Sequence, residues 1–578
     1  MRFACRSAGA VVLLLLAATD SPGAARWLHT PRNPPQISPP TDRAPITAAL
    51  EVWTNQPLGD LPRLFRPSAM LTASDDAAKQ ALAGLPGALG AVRWGISRLL
   101  YDNRTSPQFM KVLRAMCPSL KTLAGRGADV VVCIEGTPWW LSSRQETGPA
   151  GTSGWALFET SPPSNASDYQ DFVFETVRLL EREAGSGLSF EFWNEPNSLS
   201  FWRGTRAELF STYDAFVRGA RRADAGARVG GIAVGSWENP LASEPTGSPP
   251  LLQSFIQHAG VSGTAPDFVS WHAYASGAED RWEGAWEIRR WLAEAGLAAE
   301  LPQVVDEWNL WSTFPDPADP ARDGLKGAAF LSAGLFGMDR AGIAEQTVST
   351  LQDFSDPRAG EVFTGDFGLL TRSPMVKKAS FHLWNLLALM SGSRVRVDLP
   401  ADVADLEGVG ALATSTAGHV ALLVGRLAGD PGGAVLRLLQ RDGYRSFHDL
   451  GITRQQVIDY YLGTAALPAG APLASRAAVE AAVSRVRTGW ASEVALQISV
   501  PGLSPPLQYS IYRIDADHLN PGDAFARALA QGLSPDQALA AARALERFEP
   551  AESGTGALPE IRFGLYGATL VTLASAAP

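Results

Sequence analysis

Strand-like and helix-like segments alternate across residues 46–390, and that alternation constrains the fold more than any other feature of the chain. The strand candidates are ALEVW (49–53), AVRWGI (91–96), DVVVCIEG (129–136), LSFEFWNEP (188–196), RVGGIAVG (228–235), DFVSWHAY (267–274), PQVVDEW (302–308) and EQTVSTLQ (345–352). Between them, residues 107–125, 169–185, 206–224, 250–260, 282–296 and 327–342 carry apolar side chains at three- and four-residue spacing, and several of these stretches close on Gly. The run Val130-Val131-Val132-Cys133-Ile134 is apolar throughout, as a strand covered on both faces must be. Eight strands alternating with helices predict a (β/α)8 barrel over 46–390. A doubly wound sheet is the alternative. Gly125-Arg126-Gly127 does not support it, because it precedes a strand and lacks the third Gly of a phosphate-binding turn.

The rhythm changes from residue 391. RVRVDLP, GVGALATSTAGHVALLVGRL, GGAVLRLLQR and EVALQISVPG read as strands around short turns. They predict a C-terminal β-sandwich over 391–578, interrupted by helical insertions at 453–463, 475–487 and 534–548.

The N-terminus reads as an export signal. Arg2 and Arg6 precede the apolar run Ala8–Ala18, which is too short to span a bilayer, and small residues lead to a cut after Ala25. Residues 26–45 are a Pro-rich lead-in. Secretion, or release into a periplasm, is the expectation. Of three cysteines Cys5 leaves with the signal, so Cys117 and Cys133 make no disulfide framework, though a single bridge between them is open. A net charge of −10 argues against nucleic acid and anionic lipid as partners. The seven His show no metal-binding spacing, and neither a metal nor a cofactor is expected.

Catalytic groups of barrel enzymes sit at the C-terminal ends of strands. By that rule Trp193-Asn194-Glu195-Pro196-Asn197 ends strand four and Asp306-Glu307-Trp308-Asn309 ends strand seven. One Glu at a strand end is commonly a solvated loop residue, and Trp at strand tips is commonly core. Two such Glu facing one site are what glycoside hydrolysis requires, one as proton donor and one as nucleophile. The chain has 17 Trp, and Trp193, Trp202, Trp271, Trp308 and Trp311 fall near these tips, where indole rings can stack on sugars.

FEFWNEPN (190–197), DFVSWHAY (267–274), VFTGDFGLLT (362–371) and YRIDADHLNP (512–521) together resemble glycoside hydrolase family 39 of clan A, which includes β-xylosidases and α-L-iduronidases. The resemblance implies a retaining double displacement on an oligosaccharide, polysaccharide or other glycoside. It implies Glu195 as general acid/base, Glu307 as nucleophile and Asn194 as partner of the substrate 2-hydroxyl. His272 and Tyr274 would lie near the nucleophile, and Arg93 would hold Glu307 ionised. Trp308 is expected at the sugar site from its place at the strand-seven tip. The chain departs from the family in two places. Trp94-Gly95 stands where a His-Gly pair is usual, and Thr350-Leu351-Gln352-Asp353-Phe354 lacks the Trp of strand eight, with Glu361 the candidate for the acidic role there. An endo-acting enzyme on an exopolysaccharide and a catalytically silent sugar-binding protein are the competing readings.

Overall fold

The computed structural model describes residues 43–575, apart from 72–73, 152–153, 246, 279–281, 314–315, 359 and 504. The expected export signal and nearly all of the Pro-rich lead-in lie outside the described residues. Among the described residues, no helix is long and apolar enough to cross a membrane.

Eight parallel strands close into a barrel. In chain order they are Ala69–Met70, Ala91–Gly95, Asp129–Ile134, Ser189–Phe192, Arg228–Val234, Phe268–Ala275, Gln303–Leu310 and Glu345–Val348. Their side chains are buried almost without exception, because the barrel interior covers one face and the helices cover the other. The main outer helices are Ser106–Gly125, Ala166–Ala184, Arg206–Ala223, Leu251–Ser262, Gly284–Glu294, Leu325–Ala341 and Ala379–Ala388. Thr205 shows how sequence sets such an element. Its side chain accepts from Glu208 N while Glu208 reaches back to Thr205 N, a reciprocal cap at the start of Arg206–Ala223.

The first expected strand is a correction. ALEVW belongs to Ile46–Asp60, which pairs antiparallel with Ser393–Asp398 and parallel with Val494–Ser499 in the second sheet. Its alternating exposure suits a strand with one covered face and is wrong for a barrel strand covered on both. The barrel begins instead at Ala69–Met70, a pair too short to leave a periodic signal.

The second unit is the C-terminal β-sandwich, a nine-stranded sheet with helical insertions that recruits Ile46–Asp60 into its middle. One face has its own core, with Leu50, Val52, Leu422, Val424, Leu496, Ile511 and Val571 among its members. The other lies on the barrel helix Leu325–Ala341. That approach is close because Gly410 and Gly425 are cross-strand partners: a Cβ on Gly410 would strike Phe336, and one on Gly425 would strike Ser332. A bidentate pair between Arg394 and Asp339 (2.9 and 2.6 Å) links the same helix to the sheet.

GGAVLRLLQR is a second correction. Pro431–Arg441 is an α-helix. Asp430 caps it by accepting from Gly433 N, Pro431 takes the first turn, and Val435, Leu438 and Leu439 form its buried stripe. Two Gly next to an apolar run resembled a turn and strand, whereas the cap and the three-to-four spacing decided for helix.

Candidate active site

Arg93 rises from the middle of the second barrel strand, with its side chain directed into the barrel and only 2% exposed. In an apolar interior that guanidinium must be surrounded by acceptors. Nε donates to Glu191 Oε2 (2.6 Å) and lies 3.0 Å from Asp306 Oδ2. Nη1 donates to Glu307 Oε1 (2.7 Å), and Nη2 donates to Asn194 Oδ1 (2.9 Å) and approaches Cys133 Sγ (3.2 Å). Burial alone would lower the pKa of Arg93, but Glu191 and its fellow acids outweigh it and raise the value further.

Asp306 and Glu307 are consecutive, yet both reach Arg93. A strand alternates its side chains, so neighbours should face opposite ways. The pairing of Phe268–Ala275 with Gln303–Leu310 slips here: Trp271 faces Val305, and His272 faces Glu307. Asp306 is the extra residue of a β-bulge, and the bulge turns two consecutive carboxylates onto one side.

Glu307 is held twice, by Arg93 and by the Tyr274 hydroxyl, which donates to Oε2 (2.8 Å). Tyr274 is fixed edge-on against Trp311 and Phe367. Burial, and then the Glu307 charge, push its phenol pKa up, so it stays a donor. His272, fully buried at its side chain, donates from Nδ1 to Glu195 Oε1 (2.9 Å). Its Nε2 is 3.6 Å from Asp306 Oδ2, and its Nδ1 is 3.8 Å from Glu307 Oε2. Burial disfavours the imidazolium, but Glu307 and Asp306 more than restore it and raise the pKa of His272.

Glu195 stands just past the fourth strand, in a turn where both Trp193 (φ 66°) and Glu195 (φ 44°) adopt left-handed backbone. Such conformations cost about 1–3 kcal/mol each and persist where the surroundings enforce them. Here Glu195 N donates to Ala233 O (2.8 Å), and Asn197 Oδ1 accepts from Gly235 N (2.9 Å). The turn leaves the Glu195 side chain 22% exposed and that of Glu307 13% exposed, both opening toward solvent above a buried floor. Asn194 has Oδ1 turned to Arg93, so its amide nitrogen is the atom that can meet a ligand.

Glu195, His272 and Glu307 each place a polar atom within 4.8 Å of the other two. This is also the geometry of a metal-binding trio.

The structure thus brings together Arg93, Asn194, Glu195, His272, Tyr274 and Glu307. It does not bring Trp308. That side chain points the other way from Glu307, out of the barrel, where it is fully buried against Phe330 and Trp282 and donates from Nε1 to Gln346 Oε1 (2.9 Å). Trp193, Trp202 and Trp271 are fully buried as well, and Trp311 is 6% exposed. The indoles near the strand ends are framework for the site, not its lining. Glu361 is exposed and bonded to Arg358 N, away from the acidic role, while Asp353 is buried under Lys378 Nζ (2.7 Å). Cys117 and Cys133 are both free thiols.

Residues the sequence reading missed are Glu191, Asp306 and Glu135. Burial raises Glu191 to about 8 against the pull of Arg93. Burial also acts to raise Asp306, but Arg93 and His272 overcome it and bring the carboxyl below its ordinary value. One signal for Glu191 was available. A charged residue inside the strand SFEF needs an opposite charge in the barrel, and Arg93 was the candidate.

Residues 156–425 match the model of Glycosyl hydrolases family 39, a segment that contains Asn194, Glu195, His272, Tyr274 and Glu307. Across that segment, a little under half of the chain, the sequence is similar to glycosyl hydrolase family 39. The chain is 27% identical over 248 residues to a β-xylosidase of Geobacillus stearothermophilus, across 38% of its own length and 46% of the relative's. It therefore spans a little under half the length of that curated relative. A monomeric β-xylosidase from Caulobacter crescentus CB15 superposes with a TM-score of 0.63 at 17% identity, over 92% of this chain and 100% of the other. The family 39 enzyme of Xanthomonas axonopodis pv. citri gives 0.64 at 15% identity, over 92% and 98%. At these identities the likeness is one of fold.

Proposed function

We propose that this chain is a family 39 glycosidase of retaining mechanism, exported from the cell, that hydrolyses O-glycosides with a β-xylosidase-like preference. The observation that carries the reading is the short separation of its two partly exposed carboxylates, with Glu195, His272 and Glu307 meeting within 4.8 Å. Retaining enzymes hold their carboxyl groups about 5–5.5 Å apart, whereas inverting enzymes leave about 6.5–9.5 Å for a water.

Glu307, held by Arg93 and oriented by Tyr274, attacks the anomeric carbon. The glycosidic C–O bond breaks as Glu195 passes its proton to the leaving oxygen. Glu195, now ionised, then takes a proton from water, which displaces Glu307 and regenerates both groups. His272 donates to Glu195 and lies between the two carboxylates, so it can stabilise the charge that moves between them. The β-xylosidase name of the Geobacillus relative supports the substrate preference, and the N-terminal charge and apolar pattern supports export.

The test is a panel of aryl glycosides (xyloside, glucoside, arabinoside and uronides) with Glu195→Ala and Glu307→Ala. Each variant should lose turnover, and azide should rescue both, with products of opposite anomeric configuration. A Glu307→Ala protein as active as wild type would overturn the assignment. A 2-fluoro glycosyl fluoride that fails to label the Glu307 peptide would favour the silent sugar-binding reading.

A further inference from the structure

Just above Arg93 in the barrel interior lies a carboxyl group that the double displacement does not use. Glu135 sits one residue past the third strand, Asp129–Ile134, at the end of the barrel where Glu195 and Glu307 stand. Strand alternation puts it on the same side as Cys133, whose Sγ meets Arg93, so it faces the barrel axis. It is 7% exposed. Across from it, Gly95 leaves the room it occupies: a Cβ at position 95 would come within 2.0 Å of Glu135 Oε1.

The two carboxyl oxygens differ. Oε1 is taken, accepting from Ser97 Oγ (2.7 Å) and Ser97 N (3.3 Å). Oε2 has only the Cys133 thiol at 3.8 Å, a weak partner at a long distance. A buried carboxyl oxygen with no strong partner is an unsatisfied polar atom unless a ligand completes it. Ser97 therefore fixes the group by one oxygen and leaves the other beside Cys133, whose Sγ also meets Arg93 Nη2. Burial raises its pKa, with the Glu307 charge adding to the effect against Arg93 and Ser97.

We infer that Glu135 is a specificity-determining residue of this chain, whose Oε2 hydrogen-bonds one ring hydroxyl of the sugar seated between Glu195 and Glu307. The inference rests on the glycosidase reading. It also accounts for Gly95 and Glu135 as a matched pair: the missing side chain at one strand end admits the carboxyl from the next. Trp94, beside Gly95, is buried in the apolar core and supplies no polar group to the same sugar.

The experiment measures kcat/KM of wild type, Glu135→Ala and Glu135→Asp on the best 4-nitrophenyl glycoside of the panel and on its monodeoxy analogues. Glu135→Asp keeps the carboxyl but withdraws it by one methylene, so it tests reach if the Ala variant folds poorly. Both variants should lose about 10- to 100-fold on the parent glycoside, the range of one buried hydrogen bond. On the one deoxy analogue that lacks the contacted hydroxyl, the loss should shrink to less than about threefold, because the bond is already gone. Activity within twofold of wild type on the parent, or an equal loss on every deoxy analogue, would overturn the role of Glu135 while leaving the glycosidase reading in place. A wild-type chain that turns over no glycoside of the panel removes both.

Discussion

Arg93 Nη1 and Glu307 Oε1 lie 2.7 Å apart, and the same guanidinium also contacts Glu191, Asp306 and Asn194. One buried cation therefore sets the charge and position of the groups beneath the site. Only a planar fork with five donors can serve acceptors arriving from several strands in this way.

Arg93→Lys should consequently be severe although it conserves charge. A lysine offers a point charge and cannot hold Glu307 and Asn194 in their present orientations. We expect kcat on an aryl glycoside to fall at least about 100-fold. The unfolding free energy should also fall, by about 1.5–3 kcal/mol for each charged hydrogen bond that the lysine cannot reach. Urea unfolding and steady-state kinetics check the two separately, and an Arg93→Lys enzyme with wild-type kcat would exclude the positioning role.

Trp308→Ala should act in the opposite manner. Its indole is buried between Trp282 and Phe330, outside the barrel, with Nε1 bonded to Gln346. Removing it leaves a cavity and an orphaned amide, at a cost of about 3–5 kcal/mol. KM of the protein that remains folded should stay within about twofold. A KM that rises steeply with no change in the urea midpoint would restore Trp308 to the sugar site.

Glu159 predicts a pH dependence of stability. Burial raises its carboxyl to about 8, against the hydrogen bond it accepts from Ala156 N (2.7 Å). The folded state thus holds the proton more tightly than the unfolded chain, whose Glu titrates near ~4.3. This contribution to stability is fully present below the unfolded pKa and is lost as pH rises toward 8, at up to about 1.4 kcal/mol per pH unit. Glu159→Gln cannot titrate, so its melting temperature should decline less than that of wild type between about pH 5 and pH 8. Parallel curves for the two proteins in thermal scans would contradict the assignment.

Much of the barrel was readable because seven of its strands are long and apolar or are flanked by amphipathic helices. Ala69–Met70 was not, since two residues carry no period, and Ile46–Asp60 supplied a better-looking strand that belongs to another sheet. Pro431–Arg441 misled through its paired Gly, although Asp430-Pro431 announced a helix start. In the site, Glu195 and Glu307 stood out by their place at strand tips. Arg93, His272 and Tyr274 came from the family resemblance, and each makes a hydrogen bond to one of the two Glu.

The amino-acid sequence by itself determined the alternation of strands and helices, the approximate strand ends and the carboxylates available there. Those properties depend on local periodicity and residue type. Only the tertiary structure decided which side chains face inward. A bulge at Asp306 turned two consecutive acids onto Arg93, and simple alternation sent Trp308 outward into the core. Facing is set by register between neighbouring strands, and a shift of one residue reverses it. For that reason the same Asp306-Glu307-Trp308 triplet, read along the chain, could not tell its two site residues from its one core residue.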